Sequence, residues 1–311
     1  KINPPSSDEA ALLGDRALLS FVQPRQNEDL VKQLGDQGAT VLAMDCIPRT
    51  LSRGQAFDAL SSQANIAGYR AVIEAAHAFG RLFAGQMTAA GKVAPAKVLV
   101  LGAGVAGLAA IQTAKNMGAQ VYGYDVRPVV QEQVEAAGGI FLKVDFEEDG
   151  SGAGGYAKEM SDEYKEAEKA MLAKALADAD VVITTALIPG RPAPRLVNAE
   201  ALATMRRGSV LVDMAAVTGG NVEGSVSGER VGGGVDGAVS IIGYSDLPSR
   251  LPATSSNLYG RNAAKFVLSA GPQTTGEKGR LLLDYADPAV RGMLVLDDGA
   301  LKFPAPVEPA P

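Results

Sequence analysis

The densest chemical content of this chain lies in residues 97–125. Gly102-Ala103-Gly104-Val105-Ala106-Gly107 fits the pattern G-x-G-x-x-G, and Asp125 stands 18 residues beyond Gly107. The pattern alone is weak. Here it follows an apolar, β-branched run at 98–101, opens a helical pattern that runs to Met117, and is followed by a second strand at 120–124 that ends in the carboxylate. That context reads as a dinucleotide site. Gly102 permits the tight turn, and Gly104 lets the backbone approach a pyrophosphate. Gly107 lets the helix pack on the strand. Ala103 and Val105 line the same turn, whose N–H groups sit at the positive end of the helix dipole. Asp125 can accept hydrogen bonds from ribose hydroxyls and would repel a 2′-phosphate, which favours NAD over NADP. Arg127 argues the other way, because a nearby arginine can accommodate that phosphate. A glycine-rich strand–helix turn with no ligand would share the local sequence, but it gives Asp125 no role.

A second polar group precedes this one. Gln55, Asp58 and Ser61 recur every third residue at the start of a long helical pattern, 55–83, with small residues along one face. That spacing predicts a carboxamide, a carboxylate and a hydroxyl on a single helical face. The alternative is a solvated first turn whose side chains are merely exposed. A third stretch, 145–157, carries glycines at 150, 152, 154 and 155. By composition it reads as a flexible linker, although Tyr156 in its tail offers a ring able to cover a bound nucleotide. His77, the only histidine, reads as structural. Cys46, the only cysteine, reads as a small buried hydrophobe. The charged stretch 158–169 reads as a solvated face.

The elements that must position these residues alternate. Strands are expected at 17–22, 39–44, 98–101, 120–124, 140–144, 181–185, 209–213 and 239–242. Helices are expected at 28–37, 55–83, 129–137, 161–177, 198–205 and 258–269, and 89–96 reads as punctuation. This is an α/β chain with a parallel, doubly wound sheet. We expect two Rossmann-like domains with parallel sheets, joined by two helices with a cleft between them. Residues 1–62 with 255–311 form the first, truncated at its N-terminal side. Residues 63–254 form the NAD-binding domain with the linking helices.

Composition narrows the function. The 311 residues leave room for about two domains, and 47% hydrophobic with 21% charged residues is a globular balance. A net charge of −6 argues against nucleic acid and against an anionic membrane surface. A single cysteine cannot form an internal disulfide, which suits a reducing compartment. No signal peptide or membrane span is visible, because the apolar run 98–111 is short and holds three glycines. The chain opens without Met and closes at 303–311 with a proline-rich run of linker character, as a piece of a longer protein would.

Further stretches carry a resemblance. Pro48-Arg49, Gln55 through Asp58, Ser61, Gln63 and Gly68 to Arg70, Gly155-Tyr156 through Met160, Thr184 through Gly190, and Asp246 through Arg250 closely resemble the NAD(H)-binding component of proton-translocating nicotinamide nucleotide transhydrogenase. The likeness runs nearly end to end, but the family's component has an additional N-terminal segment. It implies direct hydride transfer between NAD(H) here and NADP(H) on a partner component, coupled to proton movement through a membrane-spanning component. The implied setting is a homodimeric soluble part at a bacterial inner membrane (cytoplasmic face) or a mitochondrial inner membrane (matrix face). No metal, nucleic acid or direct membrane insertion is implied. The resemblance puts Ala103, Gly104, Val105, Asp125, Val126 and Arg127 on the adenosine and pyrophosphate. It puts Gln55 on the nicotinamide carboxamide, Arg49, Asp58 and Ser61 around the ring with Leu60 beside it, Gly155 and Tyr156 in a mobile loop, and Leu187 in a later nucleotide loop. One residue more than the family's pattern separates Arg49 from Gln55, so Arg53 competes with Arg49, which keeps the Pro-Arg context.

Two rival functions remain. An alanine dehydrogenase, which shares the fold, needs a positioned acid/base. That family's lysine would fall near Asn3 and its histidine near Gln23, and neither residue present can serve. A non-catalytic NAD-binding module is the other. Transhydrogenation needs no protein acid or base, which suits a chain without a His/Lys/Cys cluster.

Overall fold

The structure is a computed structural model and describes residues 1–49, 51–146, 148–151, 158, 160–187, 192–270 and 282–304. The chain divides into two compact units, Lys1–Gln63 with Pro252–Pro311, and Ala64–Leu251. It begins with α1 (Ser7–Ala11), β1 (Ala17–Ser20), α2 (Glu28–Asp36) and β2 (Thr40–Ala43). A 3-10 helical turn, Ser52–Phe57, then precedes α3 (Ala59–Ala78), inside which the chain enters the second unit. The continuous helix expected over 55–83 is therefore broken. Asp58 is non-helical (φ −68°, ψ 82°), and its carboxylate accepts the Ser61 N–H at 2.9 Å. An aspartate at that position caps a new helix rather than continuing an old turn.

The second unit holds β3 (Gln86–Thr88), β4 (Gly91–Val93), β5 (Lys97–Leu101), α4 (Val105–Asn116), β6 (Gln120–Tyr124), α5 (Gln131–Ala136), β7 (Ile140–Phe141), α6 (Asp162–Asp178), β8 (Val181–Thr184), α7 (Ala199–Thr204), β9 (Val210–Asp213), β10 (Arg230–Gly233) and β11 (Val239–Ile242). Its sheet runs β10-β11-β9-β8-β5-β6-β7. Every pair is parallel except β10 with β11, an antiparallel edge added to the expected sheet. Side chains alternate between two cores. Val98, Val100, Val181, Ile183, Val210 and Val212 enter one, while Leu99, Leu101, Val182 and Leu211 enter the other. Burial on both faces explains why these strands read as unbroken apolar runs. Ser161 and Asn198 cap α6 and α7 through the N–H groups of Tyr164 and Ala201. β3 and β4 form a hairpin where only punctuation was expected.

The chain returns to the first unit between Leu251 and Pro252, the first residue of α8 (Pro252–Ser269). The helix expected from 258 thus starts earlier, on a proline whose fixed φ suits a first turn. Next come α9 (Pro288–Met293), β12 (Leu294–Asp297) and β13 (Ala300–Leu301). The first unit's sheet, β1-β2-β12-β13, is mixed: β1 and β2 are parallel, whereas β12 runs antiparallel to both β2 and β13. The parallel pairing expected there is present in β1 and β2, and the closing segment adds the antiparallel β12 and β13 to it. One side of this sheet is packed with Phe21, Phe57, Tyr259 and Phe266, paired edge-to-face as Phe21–Tyr259 (5.4 Å) and Phe57–Phe266 (5.7 Å).

Candidate nucleotide site

In the second unit β5 continues to β6 and β7 on one side, while the later strands β8, β9 and β11 lie on the other. The strand order reverses between β5 and β8, and ligands of such sheets bind at the carboxyl ends of the strands there. The glycine turn sits at that point. Gly102 has φ +99° and donates its N–H to Tyr124 O at 2.8 Å. A Cβ on Gly107 would fall 1.8 Å from Gly102 O, so close helix–strand packing demands glycine there. Gly104 differs, because a Cβ placed on it would meet nothing within 4 Å. It is the N-cap of α4, and no side chain caps that helix. An open approach over Gly104 and an uncapped helix start, ringed by Ala103, Val105 and Ala106, fit a pyrophosphate. Gly68 of α3 packs so closely that its Cβ would lie 2.0 Å from Ala106 O.

The carboxylate of Asp125 is fully engaged. Oδ2 accepts from the Ala103 N–H (2.8 Å) and from Arg127 Nη2 (2.8 Å). Oδ1 accepts from the Arg127 N–H (2.9 Å) and Nε (2.8 Å). The side chains of Asp125 and Arg127 are only 7% and 14% exposed, so the pair is largely withdrawn from water. Hydrogen bonding to Asp125 outweighs burial and raises the guanidinium above its ordinary value. Between them Val126 accepts the Gly150 N–H at 3.1 Å, and Lys158 donates its N–H to Gly150 O at 2.9 Å. Gly155 and Tyr156 lie outside the described residues.

The loop after β8 is built from groups that sequence reasoning did not single out. Thr185 Oγ1 donates to Gly102 O at 3.0 Å, joining this loop to the glycine turn. Asn221 grips Ala186 from both sides: Oδ1 accepts its N–H (3.1 Å), and Nδ2 donates to its carbonyl (2.9 Å) and to Pro194 O (2.8 Å). Asp213, at the end of β9 and fully buried, accepts from Thr184 Oγ1 and from the N–H groups of Ala215, Asn221 and Val222. Leu187 follows Ala186 and is 46% exposed. The only local signal for Asn221 was its place behind Gly219-Gly220, whose φ values are +98° and +78°.

In the first unit the polar cluster forms around Asp58. Its Oδ2 accepts from Arg49 Nε (3.3 Å) and Ser61 Oγ (2.6 Å), and Arg49 Nη2 also reaches Ser61 Oγ (3.2 Å). Arg49, Asp58 and Ser61 are thus together, with Leu60 half-buried beside them. Arg53 is engaged elsewhere, by Asp287 and by Ser269 O. Gln55 does not share the α3 face expected for it. It lies in the preceding 3-10 turn, exposed, and its side chain makes no hydrogen bond among the described residues. His77 is exposed near the end of α3. Burial, reinforced by the neighbouring Asp45, pushes the Cys46 thiol up to about 12. Among the described residues no cluster of His, Cys, Asp or Glu could hold a metal ion, and no helix is long and apolar enough to cross a membrane.

Comparison with known proteins places these features. Residues 1–67 match the profile of the alanine dehydrogenase/PNT N-terminal domain, and residues 71–304 match that of the C-terminal domain. The chain is 49% identical over 309 residues to the NAD(P) transhydrogenase subunit alpha of Haemophilus influenzae, covering 99% of this chain and 59% of that protein. It thus spans about three-fifths of that relative's length. The solved transhydrogenase of Sinorhizobium meliloti superposes with a TM-score of 0.83 at 39% identity, over 97% of this chain and 80% of the other. A solved L-alanine dehydrogenase superposes with a TM-score of 0.75 at 25% identity, over 98% and 78%.

Proposed function

The chain belongs to the alanine dehydrogenase/PNT family, and from that premise we propose that it is the NAD(H)-binding component of a proton-translocating transhydrogenase. The observation that carries this reading is the turn at the end of β5, uncapped and open over Gly104, with the Asp125 carboxylate at the end of β6. NAD(H), when bound, supplies a nicotinamide ring that carries hydride to or from an NADP(H) ring on a partner component. The chain's residues bind and orient. Gly102, Ala103, Gly104, Val105 and Gly107 hold the pyrophosphate. Asp125, with Val126 and Arg127, serves the adenosine ribose. Gln55 aligns the carboxamide, the Arg49–Asp58–Ser61 cluster with Leu60 holds the ring's surroundings, and Leu187, Gly155 and Tyr156 cover the nucleotide. No proton needs to be moved by a side chain, so alignment and exclusion of water are the protein's catalytic contribution. The partners are the NADP(H)-binding component, a membrane-spanning component that couples protons, and a second copy of this chain. The working place is then a membrane surface.

The alanine dehydrogenase reading lacks support from the positions it needs, which fall near Asn3 and Gln23. The latter is backbone-strained at φ +50° with its N–H on Asp45. The experiment is calorimetric titration with NADH and NADPH, followed by a hydride-transfer assay after reconstitution with the NADP(H)-binding and membrane components. We expect NADH to bind in preference, Asp125→Asn to narrow that preference, and activity to depend on all components. Equal affinity for the two nucleotides, or oxidation of alanine by the chain alone, would overturn the proposal.

A further inference from the structure

The hydrogen-bond arithmetic at Asp125 goes beyond a ribose acceptor. An ionised carboxylate offers about four lone-pair positions. Two are taken by backbone donors that belong to the fold, Ala103 N–H on Oδ2 and Arg127 N–H on Oδ1. The other two are taken by the Arg127 side chain, Nε on Oδ1 and Nη2 on Oδ2, each at 2.8 Å. An NAD(H) adenine ribose brings two hydroxyl donors, the 2′ and the 3′. Resting on the nucleotide reading above, we propose that the Arg127 guanidinium is an internal occupant of the ribose subsite, exchanged one for one against the ribose diol when NAD(H) binds.

Three consequences follow from the geometry. The backbone donors keep the carboxylate aimed whether or not the guanidinium is in place, so the acceptor stays organised during the exchange. The apparent affinity for NAD(H) is lowered by the fraction of molecules in which the guanidinium occupies the subsite. That fraction is set by a two-pronged, charge-assisted contact largely out of water. Discrimination against NADP(H) gains a second origin. A 2′-phosphate removes one of the two incoming donors, so it cannot replace both prongs. Asp125 also holds the arginine that such a phosphate would otherwise attract. Arg127 therefore sets specificity by being held, not by reaching out.

The test is calorimetric titration of the full chain, wild type and Arg127→Gln, with NADH and with NADPH. Glutamine keeps a polar side chain of similar reach but lacks the charge and the planar fork. We expect Arg127→Gln to bind NADH more tightly than wild type, by about three- to tenfold. A side chain that only supports the fold would lower thermal stability without tightening binding, and one that only contacts nucleotide would weaken binding when removed. Equal or weaker NADH binding by Arg127→Gln overturns the proposal. Should that variant fail to fold, Arg127→Lys carries the same test, because a single ammonium cannot span both oxygens as the fork does. Tighter binding supports the exchange, and equal or weaker binding overturns it. A wild-type chain that takes up no NADH would instead remove the nucleotide reading, and this inference with it.

Discussion

Asn221 receives its placement from Asp213: its main-chain N–H donates to the buried Asp213 Oδ1 at 3.2 Å, while its side-chain amide clasps both the N–H and the carbonyl of Ala186. A carboxylate at the end of β9 thereby fixes the backbone of the loop that follows β8. Replacing Asn221 with Ala deletes three hydrogen bonds at a residue with no exposure. At about 0.5–1.5 kcal/mol each, we expect a loss of about 2–4 kcal/mol in chemical unfolding. Weaker NADH binding should accompany it as the Ala186–Leu187 backbone loosens. A melting temperature within about 1 °C of wild type would show that the amide does not hold the loop.

Gly104 and Gly107 should separate folding from binding. Gly107→Ala forces a Cβ against the Gly102 carbonyl, a backbone atom that no side-chain rotation can move. We expect a destabilisation of about 3 kcal/mol or more and no measurable NADH binding. Gly104→Ala places its methyl in open space on a backbone that alanine adopts readily, φ −75° and ψ −169°. That variant should melt near wild type while NADH affinity falls, because the methyl occupies the pyrophosphate's approach. Normal NADH affinity in Gly104→Ala would remove the pyrophosphate from this turn.

Gln55 should matter more for hydride transfer than for affinity. Its side chain is exposed and makes no hydrogen bond among the described residues, so its truncation costs the fold little. One lost hydrogen bond to the carboxamide costs about 0.5–1.5 kcal/mol of binding. Misplacing a reacting atom by about 1 Å costs on the order of 10²-fold in rate. In a reconstituted complex, Gln55→Asn should therefore slow hydride transfer well beyond its effect on NADH dissociation. Equal, modest changes in both would reduce Gln55 to a binding residue.

Cys46 gives a pH signature. Its thiol is pushed up to about 12, first by burial and then by Asp45, whereas an unfolded cysteine ionises near 8.5. Between those values the unfolded chain has lost a proton that the folded chain retains, so stability falls as pH rises from about 8.5 towards 12. Below about 8.5 the contribution is fully present. Cys46→Ala should flatten this dependence, measured as the difference in unfolding free energy between pH 8 and pH 10. An identical slope in both chains would mean that the thiol does not titrate late.

The strands around the glycine turn were legible because burial on both faces leaves unbroken apolar runs, as in β5, β8 and β9. β10 was not, since Arg230, Gly232 and Gly233 leave Val231 as its single large apolar residue on an edge. The exposed Gln86, Met87 and Thr88 hid the β3 strand in the same way. At the site, the tight turn at Gly102 and the close packing at Gly107 were legible in local sequence. The engagement of Asp125 by Arg127 is a local contact between residues two apart that the motif pattern does not specify, whereas the grip of Asn221 on Ala186 is set by where separate loops meet. Spacing suggested one face for Gln55, Asp58 and Ser61, but the capping by Asp58 that breaks the helix separates Gln55 from the other two.

The first unit is assembled from two stretches of chain that a ribosome delivers far apart in time. Leu42 of β2 waits for Leu294 of β12, 252 residues later. At a synthesis rate of about 5–20 residues per second, one edge of β2 stays open for roughly 10–50 s. Meanwhile Ala64–Leu251, a contiguous stretch that forms its own compact unit, emerges between the two strands. An unpaired strand edge is a template for association with other chains. Translation that stops between Leu251 and Leu294 would therefore release the whole second unit tethered to an adhesive half-sheet, a product suited to chaperone capture or degradation.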